Sequence, residues 1–254
     1  MCLSSFFLEK NEAKKASSLS NRSAFKGVRD DKNTLCVINR GRENMKFPKC
    51  DETPLGIYPV VDRAYKLKPL YEVGITTAQL RTKDAFSGQA LEDEVIEAIK
   101  ISEEYNARFF LNDFWELGIK HNAYGIHLGQ EDIQEADVSA ILYAGIRLGI
   151  STHTPKEIDI ALGFEPSYLA IGPIYEPISK KLVYDTVGPE DLKRWAKNVD
   201  YPIVAIGGIT IENISNVVET HAASGIAMIS DVLEDGEVSK SRTLALIEAF
   251  GKIS

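Results

Sequence analysis

The sequence lacks the features that define several large classes of protein. Its three cysteines, Cys2, Cys36 and Cys50, all lie in the first fifth of 254 residues, which argues against a disulfide framework and predicts a reducing, cytoplasmic setting. No apolar run approaches the roughly 20 residues that a membrane-spanning helix needs. The formal net charge of -8 argues against a protein that binds nucleic acid, whose backbone is a polyanion. We therefore expect small-molecule partners, with no nucleic acid and no membrane, and the sequence leaves the oligomeric state open.

The first 50 residues differ from the rest in composition. Basic residues outnumber acidic ones there, a serine-rich stretch covers residues 17–23, and no hydrophobic period is sustained. We predict a mobile, poorly packed extension over residues 1–50 and one catalytic domain over residues 51–254. Interspersed acidic residues weaken a targeting role for the extension. A further hypothesis is that Met45 is the natural start, which would make most of the extension an artefact of start assignment.

From Gly56 onward, short apolar runs alternate with amphipathic segments, which is typical of βα units and a parallel sheet. In residues 91–105, for example, Val95 and Ile99 keep a helical spacing among charged residues. The predicted strands are residues 56–61, 76–80, 108–111, 125–128, 147–151, 168–171, 203–206 and 226–229. Eight such units in about 195 residues predict a single-domain (β/α)8 TIM barrel, with a doubly wound parallel sheet as the alternative.

Cationic side chains follow the second predicted strand. Alternation along the strand places Gln79, Arg81 and Lys83 on one side. A solvated strand end is the simpler explanation for such a pair of cations, but two cations on one face repel each other unless an anion lies between them. Because ligands bind at the carboxyl ends of parallel strands, the sequence predicts an anion site here.

Carboxylates follow the third and fourth predicted strands, at Asp113 and Asp132. Magnesium is usually held by one or two carboxylates together with phosphate oxygens and water, so this pair predicts a site for a magnesium diphosphate. The alternative is that each aspartate caps the helix that follows it. We interpret His127 as structural, and we assign Gly129 to a turn with positive φ.

A second anion site is predicted after the seventh strand, where Gly207 and Gly208 allow an oxyanion to approach the backbone. After the fifth strand, Ser151 can donate a hydrogen bond into the barrel mouth, the opening at the carboxyl ends of the strands. The sequence Thr154-Pro155 predicts a helix that Thr154 caps. The long polar loop after the sixth strand is of the type that carries function.

Several of these strings, taken in order, resemble the motifs of the thiamine-phosphate synthase family. They are Gln-Leu-Arg-Thr-Lys at 79–83, Asn-Asp-Phe-Trp at 112–115, His-Leu-Gly-Gln-Glu-Asp at 127–132, Ser-Thr-His-Thr at 151–154 and Ala-Ile-Gly-Gly-Ile at 205–209. Residues 119–125 add a likeness to the proteobacterial branch. The resemblance extends over about residues 55–250 and implies a (β/α)8 barrel enzyme.

The resemblance also implies an activity and a set of roles. The enzyme would be a transferase that joins 4-amino-2-methyl-5-hydroxymethylpyrimidine diphosphate to 4-methyl-5-(2-hydroxyethyl)thiazole phosphate by a dissociative, Mg²⁺-assisted mechanism with one ion per subunit. Asp113 and Asp132 would be the metal ligands. The implied catalytic residues are Arg81, Lys83, Ser151 and Lys180. Among the implied substrate-binding residues, Ser151 and Lys180 would face the pyrimidine diphosphate, and Gly208, Ile229 and Ser230 would hold the thiazole phosphate. The full implied set is Gln79, Leu80, Arg81, Thr82, Lys83, Asn112, Ser151, Pro177, Ile178, Ser179, Lys180, Gly207, Gly208, Ile229 and Ser230.

One motif departs from the family. The family has Thr-any-Thr-Lys in the loop after the sixth strand, whereas this chain reads Pro177, Ile178, Ser179, Lys180. One hydroxyl is absent, and since a hydrogen bond to a charged group contributes roughly 1.5–3 kcal/mol, we predict an active synthase with weaker thiazole-phosphate binding. The alternatives are a thiazole tautomerase of the same fold, which would have no use for the diphosphate and metal residues, and a non-catalytic thiazole- or thiamine-phosphate-binding protein.

Overall fold

A closed barrel forms the centre of the structure, a computed structural model that describes residues 45–50, 54–83, 85–176 and 185–251. Eight parallel strands follow one another in sequence order around the barrel, and β1 closes it by pairing with both β2 and β8. They are β1 (Gly56–Val61), β2 (Thr77–Leu80), β3 (Arg108–Asn112), β4 (Gly125–Leu128), β5 (Arg147–Thr152), β6 (Tyr168–Ile171), β7 (Ile203–Ile206) and β8 (Gly225–Met228). The predicted TIM barrel is confirmed, with every strand end within one residue of its prediction, and the doubly wound alternative is wrong.

Helices connect the strands. They are α1 (Leu67–Glu72), α2 (Gly88–Glu104), α3 (Trp115–Lys120), α4 (Asp132–Glu135), α5 (Val138–Tyr143), α6 (Pro155–Leu162), α7 (Gly188–Ala196), α8 (Ile214–Val218) and α9 (Lys240–Gly251). A 3-10 turn (Ala64–Lys66) follows β1, and a short hairpin of β9 (Leu233–Glu234) and β10 (Glu237–Val238) follows β8. The predicted helix start at Pro155 is confirmed, because the Thr154 side chain accepts a hydrogen bond from the Glu157 N–H.

Alternation along the strands separates two cores. Outward-facing side chains such as Leu80 and Leu111 pack beneath the helices in a large apolar cluster. A smaller cluster fills the barrel interior around Tyr58, Phe110 and Tyr168. Large rings fit there because neighbouring strands carry glycine: a Cβ added at Gly149, for example, would overlap the Tyr168 ring. The interior is therefore a packed layer that supports the groups at its upper end.

The compact unit of the barrel begins at Lys46, a few residues before the predicted domain boundary at residue 50. Phe47 packs in the outer core and Cys50 is buried in the interior cluster, although both belong to the extension that was predicted to be poorly packed. The Lys49 carbonyl accepts a hydrogen bond of 2.9 Å from Arg147 Nε. The end of the predicted extension is thus part of the domain, because it covers the lower end of the barrel, whereas residues 1–44 lie outside the described residues.

Candidate active site

The end of β2 presents two cations. Lys83 is exposed and Arg81 is partly exposed, and neither side chain forms an ion pair with another residue in the described part of the chain. The Arg81 N–H donates to the Val61 carbonyl at 2.7 Å, which extends the β1–β2 ladder to the rim. Alternation holds as predicted, because Leu80 and Thr82 are buried at 0% and 3% exposure. Leu80 lies in the outer core, so only its backbone can reach a ligand.

The end of β3 holds a carboxylate in an uncommon backbone conformation. Asn112 is buried beside His127 of β4, and Asp113 has φ of 67°, in the left-handed region that few residues other than glycine adopt. The Asp113 N–H donates to the His127 carbonyl at 3.0 Å. The alternative that Asp113 caps the next helix is wrong, since Phe114 takes the cap position of α3. The ladder itself therefore fixes the backbone at Asp113.

The loop after β4 folds back toward the barrel. Gln130 Nε2 donates to the Ser151 carbonyl at 2.6 Å, which ties this loop to β5. Asp132 is the first residue of α4 and not its cap, so the capping alternative is wrong here too. The φ of Gly129 is not positive, contrary to the prediction. A glycine fits this position because a Cβ would lie only 3.1 Å from Asp132 Oδ2.

A chain of hydrogen bonds crosses the barrel interior below these groups. Gln79 Nε2 donates to Tyr58 Oη at 3.2 Å, and Tyr58 Oη lies 3.0 Å from Tyr168 Oη. Tyr168 Oη lies 2.7 Å from His127 Nδ1, and His127 Nε2 lies 2.8 Å from Ser151 Oγ. Burial lowers the pKa of His127 to about 4, with a smaller contribution from the positive charge of Arg81, so the imidazole is neutral at pH 7. Burial also raises the pKa of both tyrosines, which keeps them protonated.

The hydrogen-bond chain inside the barrel contains residues that the sequence pattern missed. Tyr58 and Tyr168 carry no motif, and His127 was interpreted as structural. Strand alternation was the signal that could have found them, because the side chains of the whole hydrogen-bond chain point into the barrel. These inward-facing residues are Tyr58, Gln79, His127, Ser151 and Tyr168. Nearby, His153 donates from its backbone N–H to Glu157 Oε2 at 2.6 Å, and its ring nitrogen Nδ1 lies 2.9 Å from the same oxygen, which holds it to α6.

The ends of β6 and β7 form a second feature from backbone alone. The Ile174 and Tyr175 N–H groups donate to the carbonyls of Ile206 and Gly207, each at 2.9 Å, so the start of the β6 loop lies against the end of β7. Gly207 and Gly208 have φ of 98° and 65°, and a Cβ on Gly208 would lie 2.5 Å from the Tyr175 carbonyl oxygen. The glycines are therefore required by the packed loop as well as by any anion.

This second feature leaves donors available. The Gly208 N–H takes part in no backbone hydrogen bond within the described residues. The Gly207 carbonyl, which shares a peptide plane with the Gly208 N–H, accepts from the Tyr175 N–H at 2.9 Å, and this contact fixes the direction of the Gly208 N–H. Ile229 and Ser230, at the end of β8, are exposed beside it. Bare amides with a fixed direction are what an oxyanion requires.

The predicted loop residues Pro177, Ile178, Ser179 and Lys180 lie outside the described residues, so the effect of the missing hydroxyl stays a prediction. Among the described residues, no group of three or more His, Cys, Asp or Glu side chains could hold a metal ion. None of the helices in this part of the chain is long and apolar enough to cross a membrane.

Comparison with known proteins shows the family to which the chain belongs. The sequence profile of the family described as thiamine monophosphate synthase matches residues 57–232. The chain belongs to this family. It is 46% identical over 198 residues to a thiamine-phosphate synthase from Citrobacter koseri, covering 77% of this chain and 93% of that protein. A thiamine-phosphate synthase from Yersinia pestis is 43% identical over 205 residues, covering 80% and 94%.

Solved structures extend the agreement to the fold. A thiamine phosphate pyrophosphorylase from Pyrococcus furiosus superimposes with a TM-score of 0.67 at 26% identity, covering 78% of this chain and 96% of that one. An N-(5'-phosphoribosyl)anthranilate isomerase from the same organism, at 12% identity and a TM-score of 0.59, shares the fold alone. The predicted membership of the thiamine-phosphate synthase family, a family of transferases, is confirmed, including its likeness to proteobacterial members.

Proposed function

We propose that this chain condenses 4-amino-2-methyl-5-hydroxymethylpyrimidine diphosphate with 4-methyl-5-(2-hydroxyethyl)thiazole phosphate to give thiamine phosphate and diphosphate. The observation that carries this proposal is the pair Arg81 and Lys83, two rim cations without an ion-pair partner in the described part of the chain. They follow β2, which pairs with β3, and β3 pairs in turn with β4. Asp113 directly follows β3, and Asp132 lies in the segment after β4. Cations and carboxylates on adjacent strand ends suit a ligand that is both an anion and a metal chelate.

The donor set fits magnesium. Asp113 and Asp132 are carboxylates, the oxygen ligands that Mg²⁺ prefers, and Gly129 leaves room for the Asp132 carboxylate to lie against the backbone. We propose that these two side chains hold one Mg²⁺ together with the diphosphate. When bound, the ion would neutralise charge on the leaving group.

In the proposed reaction, the protein stabilises charge and positions the two substrates. The C–O bond to the diphosphate breaks first, and its electron pair leaves with the diphosphate, whose developing charge Arg81 and Lys83 stabilise. The aminopyrimidine supports the cation that remains on the methylene carbon. The thiazole nitrogen then donates its lone pair to form the C–N bond. No proton transfer and no protein nucleophile is needed, so the remaining advantage comes from holding both substrates together.

The second substrate would lie on the other side of the mouth. We assign its phosphate to the Gly208 N–H and to the exposed Ile229 and Ser230 at the end of β8. Two anion sites in one mouth suit a condensation of two phosphorylated molecules. A cytoplasmic setting is part of the same proposal, supported by the low number of cysteines, three in 254 residues, which is typical of reducing compartments.

A coupling assay with both substrates and Mg²⁺ tests the proposal. We expect wild type to form thiamine phosphate and diphosphate, and Asp132→Ala to lose about 100-fold or more of kcat/KM, as expected when a group that stabilises the leaving group is removed. Asp137→Ala is a matched control, because Asp137 caps α5 through the Ala140 N–H and is not part of the mouth. No product from wild type would disprove the synthase, leaving ligand binding or tautomerisation to be assayed. A full rate for Asp132→Ala would disprove the metal assignment alone.

A further inference from the structure

The hydrogen-bond chain inside the barrel has two ends, and both are residues proposed to contact the pyrimidine diphosphate. One end is Gln79 on β2 and the other is Ser151 on β5. The three side chains between them, Tyr58, Tyr168 and His127, are 0%, 0% and 6% exposed. Because these three side chains are buried inside the barrel, the reaction described above gives them no contact with a substrate.

The direction of this chain follows from counting donors. The Gln79 amide nitrogen can only donate, so Tyr58 Oη accepts there. Among the described residues, the other hydrogen-bond partner of Tyr58 Oη is Tyr168 Oη, at 3.0 Å. If Tyr168 donated to Tyr58, the Tyr58 proton would be buried with no acceptor, which costs about 1–3 kcal/mol. Tyr58 therefore donates to Tyr168.

The same reasoning carries the direction onward. Tyr168 accepts from Tyr58 and so gives its own proton to His127 Nδ1, at 2.7 Å. A neutral imidazole with Nδ1 as acceptor carries its proton on Nε2, which then donates to Ser151 Oγ at 2.8 Å. Ser151 is half-buried at the mouth, and its hydroxyl proton has no other task among the described residues.

We propose that Tyr58, Tyr168 and His127 are positioning residues that force Ser151 to act as a hydrogen-bond donor toward the bound pyrimidine diphosphate. The inference rests on the proposed function and deepens it. At the other end, one N–H of the Gln79 amide donates to Tyr58, which orients the amide, and its carbonyl oxygen makes no hydrogen bond within the described residues. The chain thus offers one acceptor and one donor in a fixed order, and this order suits a ligand with an N–H group on one side and an acceptor atom on the other.

A double-mutant cycle separates this role from a structural one. Tyr168→Phe removes the hydroxyl that fixes the tautomer of His127, and we expect it to lower kcat/KM for the pyrimidine diphosphate about tenfold. In the Ser151→Ala background the same substitution should cost little more, because no serine proton is left to direct. Equal losses in both backgrounds would show that Tyr168 acts through packing, and would overturn the proposal.

A matched control removes a similar hydroxyl away from the mouth. Tyr71 Oη lies 2.8 Å from Ser102 Oγ, buried between α1 and α2, so Tyr71→Phe deletes another buried tyrosine–serine bond. We expect both Tyr→Phe variants to lower the melting temperature by a similar amount and only Tyr168→Phe to change kcat/KM. An equal kinetic loss from both variants would contradict the proposal.

A spectroscopic measurement tests the chain without any turnover. In the ¹⁵N-histidine-labelled protein, which has four histidines, His127→Asn assigns the His127 signals. We expect the Nε2–H tautomer in wild type and a shifted or averaged Nδ1 signal in Tyr168→Phe. The Nδ1–H tautomer in wild type would overturn the proposal. If wild type made no thiamine phosphate, the proposed function would fail, but the nitrogen signals would still decide the direction of the chain.

Discussion

The two halves of the barrel mouth are built in different ways. At the ends of β2 to β5 the groups proposed to meet a ligand are side chains, among them Arg81, Lys83 and Asp132, and a buried hydrogen-bond chain ends at two more of them, Gln79 and Ser151. At the ends of β6 and β7 they are backbone amides, exposed because Gly207 and Gly208 take positive φ against the β6 loop. The first half depends on which side chains are present, and the second on which backbone shape is possible.

Because of this difference, each half of the mouth should be sensitive to a different kind of substitution. A charge can be removed from the first half without moving the backbone, so its substitutions should change chemistry more than shape. The second half has no side-chain charge to lose at Gly208, but one added methyl group would collide with a carbonyl. Substitutions that act on one half and spare the other therefore test whether the halves are independent.

The largest effect is expected at Arg81. Arg81→Gln removes a rim cation and should lower kcat/KM for the pyrimidine diphosphate on the order of 100- to 1,000-fold, as for other groups that stabilise developing negative charge. Steady-state kinetics with each substrate varied in turn would measure it. Arg63→Gln is the control, because Arg63 also follows a strand end but is committed to Glu94 at 3.2 Å. Similar losses from both variants would mean that the rim attracts anions through its general charge.

A second effect concerns the polar interior beneath the first half. The pKa of His127 is about 4 in the folded protein, below its ordinary 6.5, so between these values the unfolded chain binds more protons and stability falls as the pH falls. From pH 7.5 to pH 5 this group alone should remove roughly 2 kcal/mol from the free energy of unfolding. Urea denaturation at both pH values would measure it. His127→Asn should show a smaller decrease, and an equal decrease in the variant would mean that His127 titrates normally.

The smallest effect is expected in the second half. Gly208→Ala forces alanine into φ of 65° and against the Tyr175 carbonyl, so the loop must shift. We expect KM for the thiazole phosphate to rise roughly 10- to 30-fold, with KM for the pyrimidine diphosphate within about threefold of wild type, since a charge-assisted hydrogen bond contributes about 1.5–3 kcal/mol.

Gly145→Ala is its matched control. Gly145 has φ of 69° but nothing within 4 Å of an added Cβ, so it shares the backbone strain without the collision. It lies between α5 and β5, at the other end of the barrel. A rise in both KM values for Gly208→Ala, or a change of KM in the control, would show that the two halves are not independent.

The prediction from sequence succeeded where local pattern and physical cause coincide. Runs of apolar residues fixed the strands because a strand buried on both sides must be apolar, and polar residues after them marked the rim. It failed at Gly129, and the alternative that Asp113 and Asp132 cap their helices was wrong, whereas the predicted cap at Thr154 was confirmed. Gly129 is small because a carboxylate from three residues later lies against it, and Asp113 turns left-handed because its N–H is held by β4. The cause at Asp113 is not local in sequence, because its partner His127 lies on the neighbouring strand.

By itself, the sequence determined the barrel and the kinds of group at its mouth, since strand periodicity and residue chemistry are properties of short segments. The tertiary structure alone decided how those groups are supported. Tyr58 and Tyr168 are 110 residues apart and carry no motif, yet closure of the barrel brings their hydroxyls within 3.0 Å. Hydrogen-bond direction and backbone shape depend on such neighbours, which only the closed sheet brings together.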